Sequence, residues 1–167
     1  MSRASNTTPI GLEESGRLLE RGIVVSDTPT SIDPTVVTAY RETEYRVHSD
    51  PPVVLLVGTR NSGLRSLHER HGVASSVFIT AFNPYSRELD PAENASRQAS
   101  LAAELRRLNL AHIPGIGQHP SNGWPGEPSF LSLGLDLEAA KALGIRWEQN
   151  AIVWTGADGV PQLLLLR

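Results

Sequence analysis

The sequence contains no cysteine and a single lysine, and these two shortages exclude whole classes of chemistry. Without cysteine there are no thiol nucleophiles, disulfides or thiolate zinc sites, so only oxygen and imidazole groups remain for catalysis or metal binding. The 15 basic residues are all arginine except Lys141, which falls in an exposed turn of a predicted helix. Schiff-base catalysis would need that one side chain, and we exclude it.

Excess charge and long hydrophobic runs are also missing. The formal net charge is −3 and the arginines are scattered, so no basic stripe indicates nucleic-acid binding. No apolar run approaches the roughly 20 residues that span a bilayer, and no apolar segment of a secretory signal follows residues 1–3. We therefore expect a cytoplasmic protein with neither a nucleic-acid nor a membrane partner.

Three familiar ligand-binding or catalytic motifs are absent. There is no phosphate-binding loop and no serine elbow, and Gly115-Ile116-Gly117 lacks the third glycine and the helix of a dinucleotide fingerprint. We accordingly predict no cofactor. His68 and His71 are spaced by three residues and could share a metal, but a solvated helix end explains them better because no third ligand lies near in sequence, and we predict no metal site.

The order of the elements predicts an α+β fold: one domain with a mainly antiparallel or mixed sheet and about three packed helices. Residues 1–32 have the polar, Ser/Thr/Pro-rich composition of a flexible N-terminal arm. The domain is predicted to span residues 33–167, because Asp33 can cap a helix and Pro34 can occupy its first position. Further helices are predicted to start at Ser62, Asp90 and Asp136, the last ending at Gly144. Strands are predicted over 43–48, 53–58, 77–82, 127–133, 150–155 and 162–166.

The run 77–84 is the centre of the predicted domain. Its β-branched and aromatic residues indicate a buried strand, which Asn83-Pro84 must end. Thr80, Asn83 and Ser86 then collect at the carboxyl end of that strand, where open sheets often bind ligands. The alternative is that these three side chains only cap a turn.

The helix after this turn has a stripe that begins polar and becomes apolar. Its members are Asn94, Gln98, Leu101, Leu105 and Leu108. Burying unpartnered amides would cost about 1–3 kcal/mol each, so the first turns should face either a polar pocket or the turn at residues 83–84. Arg97, on the flank of this face, could bind an anion or pair with Glu93 or Glu104.

Three sequence blocks together resemble a bacterial family catalogued as domain of unknown function 3293. The blocks are 78–84 with Ser86 and Asn94, then 123–130, then 148–152, and the stretch 40–47 fits as well. The resemblance covers about residues 34–156. One departure is the pair Trp147-Glu148 before Gln149, where an aromatic residue followed by glycine is expected, and it puts the local turn in doubt. The resemblance implies a small cytoplasmic bacterial protein with no established activity.

The resemblance also implies that the polar residues of these blocks belong to one pattern, and two hypotheses follow. The first is a pocket for a small polar or anionic ligand, with Glu127 as the candidate general acid/base; whether it is an enzyme stays open. The second is a non-catalytic interaction module that binds a protein through the N-terminal arm or the leucine-rich C-terminal edge. The predicted ligand-binding residues are Thr80, Asn83, Ser86, Asn94, Arg97, Trp124, Gln149 and Asn150.

Overall fold

The computed structural model describes residues 29–167 and the backbone of residues 23–24. Four helices and one eight-stranded sheet form a single α+β domain, which confirms the predicted fold class, with one helix more than the expected three. The helices are α1 (Pro34–Glu42), α2 (Ser62–His71), α3 (Pro91–Arg107) and α4 (Leu137–Arg146). The strands are β1 (Ile23–Val24), β2 (Glu44–Val47), β3 (Val53–Leu55), β4 (Ser76–Ile79), β5 (His112–Gln118), β6 (Glu127–Leu133), β7 (Ala151–Thr155) and β8 (Pro161–Leu165).

The sheet has the strand order β1-β8-β7-β4-β6-β5-β2-β3. Every neighbouring pair is antiparallel except β1 and β8, which are parallel. β4 lies in the middle, between β7 and β6, and all four of its residues are buried. Three of these residues, Val77, Phe78 and Ile79, are apolar, as expected for a strand covered by helices on both faces of the sheet.

Side chains of β4 alternate between two hydrophobic clusters, one on each face of the sheet. Phe78 belongs to the first cluster, with α2 and the partly buried side of α1. Val77 and Ile79 belong to the second cluster, with α3 and α4. Fully buried leucines anchor these helices, and each such side chain contributes about 1.5–3 kcal/mol. They are Leu64 and Leu67 on α2 and Leu101 and Leu105 on α3.

Local capping rules account for most of the helix ends. Asp33, Asp90 and Asp136 each accept a hydrogen bond from a backbone N–H in the first turn, as predicted. Gly72 ends α2 in the left-handed conformation, also as predicted. The predicted end of α4 at Gly144 is wrong, because the helix continues to Arg146.

Two side-chain assignments from the sequence also need correction. Leu108 is 44% exposed because α3 ends at Arg107, so the apolar stripe stops at Leu105. His68 is buried and its Nε2 lies 2.8 Å from Ser76 Oγ, so it belongs to the core and not to a solvated helix end. His71 is exposed.

The helix α1 differs from the other three because none of its residues is fully buried. Val36, Ala39 and Tyr40 are half-buried although they lie on its apolar side. The apolar side of a helix normally packs directly on the sheet. Here part of the space between α1 and the sheet is open, and that space is the pocket described below.

The leucine-rich strand β8 lies next to the edge of the sheet and pairs with β7 on one side and β1 on the other. Leu163 and Leu164 are buried, each facing one of the two hydrophobic clusters. The predicted arm 1–32 otherwise lies mostly outside the described residues, so its extent and flexibility stay predictions. None of the helices that the structure describes is long and apolar enough to cross a membrane.

Candidate functional site

A pocket of about 400 Å³ lies between α1 and the first face of the sheet. Its volume is in the range of small-molecule sites, about 300–1,000 Å³. Its apolar floor comes from the sheet and includes Phe78, Val153 and Leu163. Its rim is polar and comes from α1, the end of β4 and the loop between β5 and β6.

One strand position that borders the pocket has no side chain. Tyr45 on β2 pairs with Gly117 on β5, and Gly117 pairs with Glu127 on β6. Directly paired residues point to the same face of a sheet, so Tyr45 and Glu127 flank a position that glycine leaves empty. A Cβ atom at Gly117 would lie 3.8 Å from its nearest neighbours, which is ordinary contact with room beyond.

Gly115, two residues earlier, has the opposite role. A Cβ atom there would overlap the Arg46 carbonyl oxygen of β2 and come within 2.8 Å of the Phe78 ring, so the glycine is required for the close packing of both. Phe78 in turn meets Tyr45 edge-on, with ring centroids 5.3 Å apart. Sequence reasoning considered this Gly-Ile-Gly segment only as a dinucleotide motif. A glycine inside a strand, which often marks close approach of another group, was the available signal.

The turn after β4 has a left-handed backbone at three non-glycine residues: Asn83 (φ 45°), Tyr85 (φ 53°) and Ser86 (φ 57°). Each such residue costs of the order of 1 kcal/mol or more unless its surroundings hold it. Tyr85 is held by its backbone N–H, which donates to the carbonyl of Glu148 at 2.7 Å. Strained backbone of this kind is common in ligand sites.

Asn83 is the centre of a hydrogen-bond network at this turn. Its backbone N–H donates to Asn94 Oδ1 at 2.9 Å, and Asn94 Nδ2 donates back to Asn83 Oδ1 at 2.8 Å. Asn83 Oδ1 also accepts from the Leu89 N–H. The remaining group, Asn83 Nδ2, donates to Glu127 Oε1 at 2.7 Å. Asn83 therefore links the turn, α3 and the carboxylate at the pocket rim.

Glu127 has one occupied and one open carboxylate oxygen. Oε1 accepts from Asn83 Nδ2 and from the Trp124 indole N–H at 3.4 Å, whereas Oε2 has no hydrogen-bond partner among the described residues. Burial raises the pKa of Glu127, and the two hydrogen bonds from Asn83 and Trp124 oppose that rise only in part. Glu127 is thus a carboxyl group at a pocket rim with one oxygen left for a ligand.

Thr80 and Ser86 also line the pocket. Thr80 Oγ1 donates to the carbonyl of Pro128 at 2.7 Å, which ties the end of β4 to β6. Ser86 Oγ lies 2.7 Å from the Tyr40 hydroxyl and accepts from Asn150 Nδ2 at 3.0 Å. Asn150 is buried behind this pair, so it positions α1 against the turn and does not line the pocket.

The loop between β5 and β6 supplies the outer wall. Trp124 is 43% exposed and covers the side of the pocket next to Glu127. The Nδ1 atom of His119 accepts from the backbone N–H groups of Ser121 and Asn122. Its Nε2 lies 3.2 Å from Glu42 Oε2 on α1. Because Nδ1 accepts twice, Nε2 is the ring nitrogen left to donate to Glu42.

The polar start of α3 faces the turn. Gln98 Oε1 accepts from the Ala81 N–H at 2.9 Å, and Asn94 pairs with Asn83 as described. Arg97 donates to the carbonyls of Ala81 and Trp147 and pairs with Glu148 at 3.2 Å, where Glu93 and Glu104 were the predicted partners. The sequence left two alternatives for the first turns of α3, which were to face a polar pocket or the turn at residues 83–84. The geometry corresponds to the second, because these side chains hold the turn and neither Asn94 nor Arg97 lines the pocket.

The family departure at Glu148 has a direct structural counterpart. Glu148 has φ 56°, a left-handed conformation that glycine adopts most easily. It ends α4 in a Schellman arrangement, with the Gln149 N–H donating to the Gly144 carbonyl at 3.0 Å. The turn is therefore kept in spite of the substitution, and it directs Gln149 to the pocket, where Gln149 Nε2 donates to the Phe82 carbonyl.

The structure thus brings together six of the nine predicted site residues and places three behind them. Asn94, Arg97 and Asn150 form the supporting layer. Tyr40 and Tyr45 also line the pocket, but the sequence placed them only in the stretch 40–47 that fits the family. Their positions beside the pocket depend on tertiary packing and strand register, which local patterns do not give. The six that line the pocket are Thr80, Asn83, Ser86, Trp124, Glu127 and Gln149.

These features define a class: a single-domain α+β protein with one supported, carboxylate-bearing pocket at the end of its central strand. Residues 79–152 match the model of the family described as "Protein of unknown function (DUF3293)", which supports the resemblance found in the sequence blocks. All nine predicted site residues lie inside the matched segment, and α1 lies outside it. No curated protein and no solved structure matches the chain.

Proposed function

We propose that the pocket binds one small polar organic molecule, with the polar part of the ligand at the rim and its apolar part on the floor. The observation that carries this proposal is the register of Tyr45, Gly117 and Glu127, which leaves a cavity at a strand position where a side chain could have filled it. A core of this size would ordinarily close such a space, because unfilled volume destabilises a protein.

The proposed roles follow from the contacts of each side chain. Asn83, Thr80, Ser86 and Gln149 offer polar groups at the rim, and Trp124 covers the ligand. Asn94, Arg97 and Asn150 act indirectly by holding the turn and α1. If the bound molecule is chemically transformed, Glu127 is the group to exchange a proton with it, because it is the only carboxyl group among the described residues that line the pocket.

The test is a pocket-filling substitution combined with a ligand screen. Thermal-shift screening of the parent against nucleotides, sugars, phosphorylated metabolites, alcohols and amines should give stabilisation by at least one compound. Gly117→Val adds three carbon atoms beside Thr43 and Tyr45 without a clash at the Cβ position, and it should abolish that stabilisation while the protein remains folded. Ile116→Val, on the opposite face of the same strand, is the matched control and should bind like the parent. Equal stabilisation of parent and Gly117→Val would refute the pocket as the binding site.

The alternative function is a protein-interaction module that uses the N-terminal arm or the C-terminal edge. Its motivation was that a leucine-rich edge strand should be covered. What argues against the edge is that β8 pairs with β1 of the same chain. Light scattering and a pull-down with the full chain test this alternative, and a specific partner lost on substitution of the arm would support it. The bacterial origin and the cytoplasmic location remain predictions from the sequence.

A further inference from the structure

We propose that the ligand is an organic cation: an ammonium group, or an amine protonated at neutral pH, attached to a compact apolar body. This inference rests on the proposed binding function and specifies its ligand. The arrangement that points to it has two parts. A rim carboxylate with one oxygen free of hydrogen bonds lies beside an aromatic wall, and none of the described residues that line the pocket is an arginine or a lysine.

The described residues that line the pocket carry negative but no positive formal charge. Among the described residues that line the pocket, none is an arginine or a lysine, and Glu127 is the one formal charge. Arg97, the nearest candidate in sequence reasoning, directs its guanidinium to two backbone carbonyls and to Glu148. Both ring nitrogens of His119 already have partners: Nδ1 accepts from the backbone N–H groups of Ser121 and Asn122, and Nε2 lies 3.2 Å from Glu42 Oε2. An anionic ligand would therefore meet a carboxylate and no counter-charge.

The helix start at the pocket does not offer an anion site either. Thr35, in the first turn of α1, lines the pocket, but its N–H and hydroxyl both donate to Asp33 Oδ1 at 2.8 and 2.6 Å. The Val36 and Val37 N–H groups are directed to the Asp33 carbonyl. The amides that would bind an anion at a helix N-terminus already have partners.

The groups that remain favour a cation. Glu127 Oε2 can accept a charge-assisted hydrogen bond from an ammonium group, because only Oε1 is occupied by Asn83 and Trp124. The indole of Trp124 adjoins this carboxylate, and Tyr40, Tyr45 and Phe78 also line the pocket. Aromatic rings around a carboxylate attract organic cations through their negative faces. The apolar floor then receives the body of the ligand.

Matched probe series test the charge of the ligand separately from its shape. Butylamine, cyclohexylmethylamine and 2-phenylethylamine are each compared with the alcohol and the carboxylate that carry the same body, using calorimetric titration of the full chain at pH 7. The amine should bind most tightly in at least one series. Glu127→Gln should weaken amine binding about tenfold or more, because a charge-assisted bond becomes a neutral one, and should leave alcohol binding within about twofold.

Two further variants control for a folding defect and for binding outside the pocket. Trp124→Leu keeps an apolar cover at an exposed position and should weaken amine binding about two- to fivefold. Gly117→Val should abolish binding of every probe. Tighter binding of a carboxylate or an alcohol, lost in Gly117→Val, would overturn the cation inference and leave the pocket function standing. Absence of binding by all the amines would overturn the inference, and binding that Gly117→Val leaves unchanged would overturn both.

Discussion

Glu148 has a backbone conformation that glycine would adopt more easily. In the left-handed region an L-residue is penalised by about 1–2 kcal/mol, and Glu148 is placed there by the end of α4. Its ion pair with Arg97 offsets part of this cost, although a pair whose side chains are 23% and 41% exposed contributes little, about 0–1 kcal/mol.

Two substitutions at this position separate the backbone effect from the ion pair. Glu148→Gly and Glu148→Val both remove the ion pair, but only valine has a β-branched side chain that opposes a positive φ. We expect the valine variant to be less stable than the glycine variant by about 1–2 kcal/mol in chemical denaturation, with the glycine variant within about 1 kcal/mol of the parent. Equal stability of the two variants would show that the turn changes conformation when Glu148 is replaced.

The arginine beside it illustrates why some residue roles cannot be inferred locally. Arg97 was expected to pair within its own helix or to bind an anion, and it contacts Ala81, Trp147 and Glu148 from two other segments. Those segments are 16 and about 50 residues away in sequence. Spacing along one helix gives no information on such partners.

Among the helices, α3 has the clearest division between supporting and solvent-facing positions. Asn94 is 5% exposed and satisfies the Asn83 backbone N–H inside a turn that is already strained. Asn94→Ala should therefore destabilise the protein by about 1–3 kcal/mol, because it leaves a partly buried donor without its acceptor.

Ser96→Ala is the control for this prediction, since Ser96 lies on the exposed side of the same helix. It should change the free energy of unfolding by less than about 0.5 kcal/mol. Urea denaturation of both variants beside the parent measures the two effects. A loss as small for Asn94→Ala as for Ser96→Ala would mean that the asparagine pair does not hold the turn.

The helix starts and all strands but β1 and β5 followed from the sequence, because they depend on neighbours a few residues apart. The apolar run of β4, the aspartate caps of α1, α3 and α4, and the closing β7–β8 hairpin all have this character. The pocket did not follow in the same way. It depends on the pairing of Gly117 with Tyr45 and Glu127, which lie on strands from three separate parts of the chain. It also depends on the absence of a side chain at Gly117.

The stability of the protein as a unit should depend on pH through His68. Burial lowers the pKa of His68 in the folded state below its usual value of about 6.5. As the pH falls below about 6.5, the unfolded chain therefore takes up a proton before the folded one does, and the stability decreases. The contribution of the buried neutral ring is present above this pH and is lost on acidification.

His68→Gln removes this titration and can keep a hydrogen bond to Ser76. The free energy of unfolding, measured from pH 7.5 to pH 5, should fall more steeply for the parent than for this variant. His71→Gln, an exposed histidine on the same helix, should leave the parent's slope unchanged. Parallel pH profiles for the parent and His68→Gln would show that His68 does not couple folding to protonation in this range.

The pairing of β1 with β8 has a consequence for biosynthesis. The two strands pair Ile23 with Leu163, so nearly the whole domain separates them in the chain. A ribosome produces β1 first and β8 last among the strands, at about 5–20 residues per second. During that interval, roughly 7–30 seconds, β1 has left the ribosome while its partner has not yet been made. The sheet can therefore be completed at this edge only after synthesis has passed β8, and the earliest strand that the structure describes is one of the last to dock.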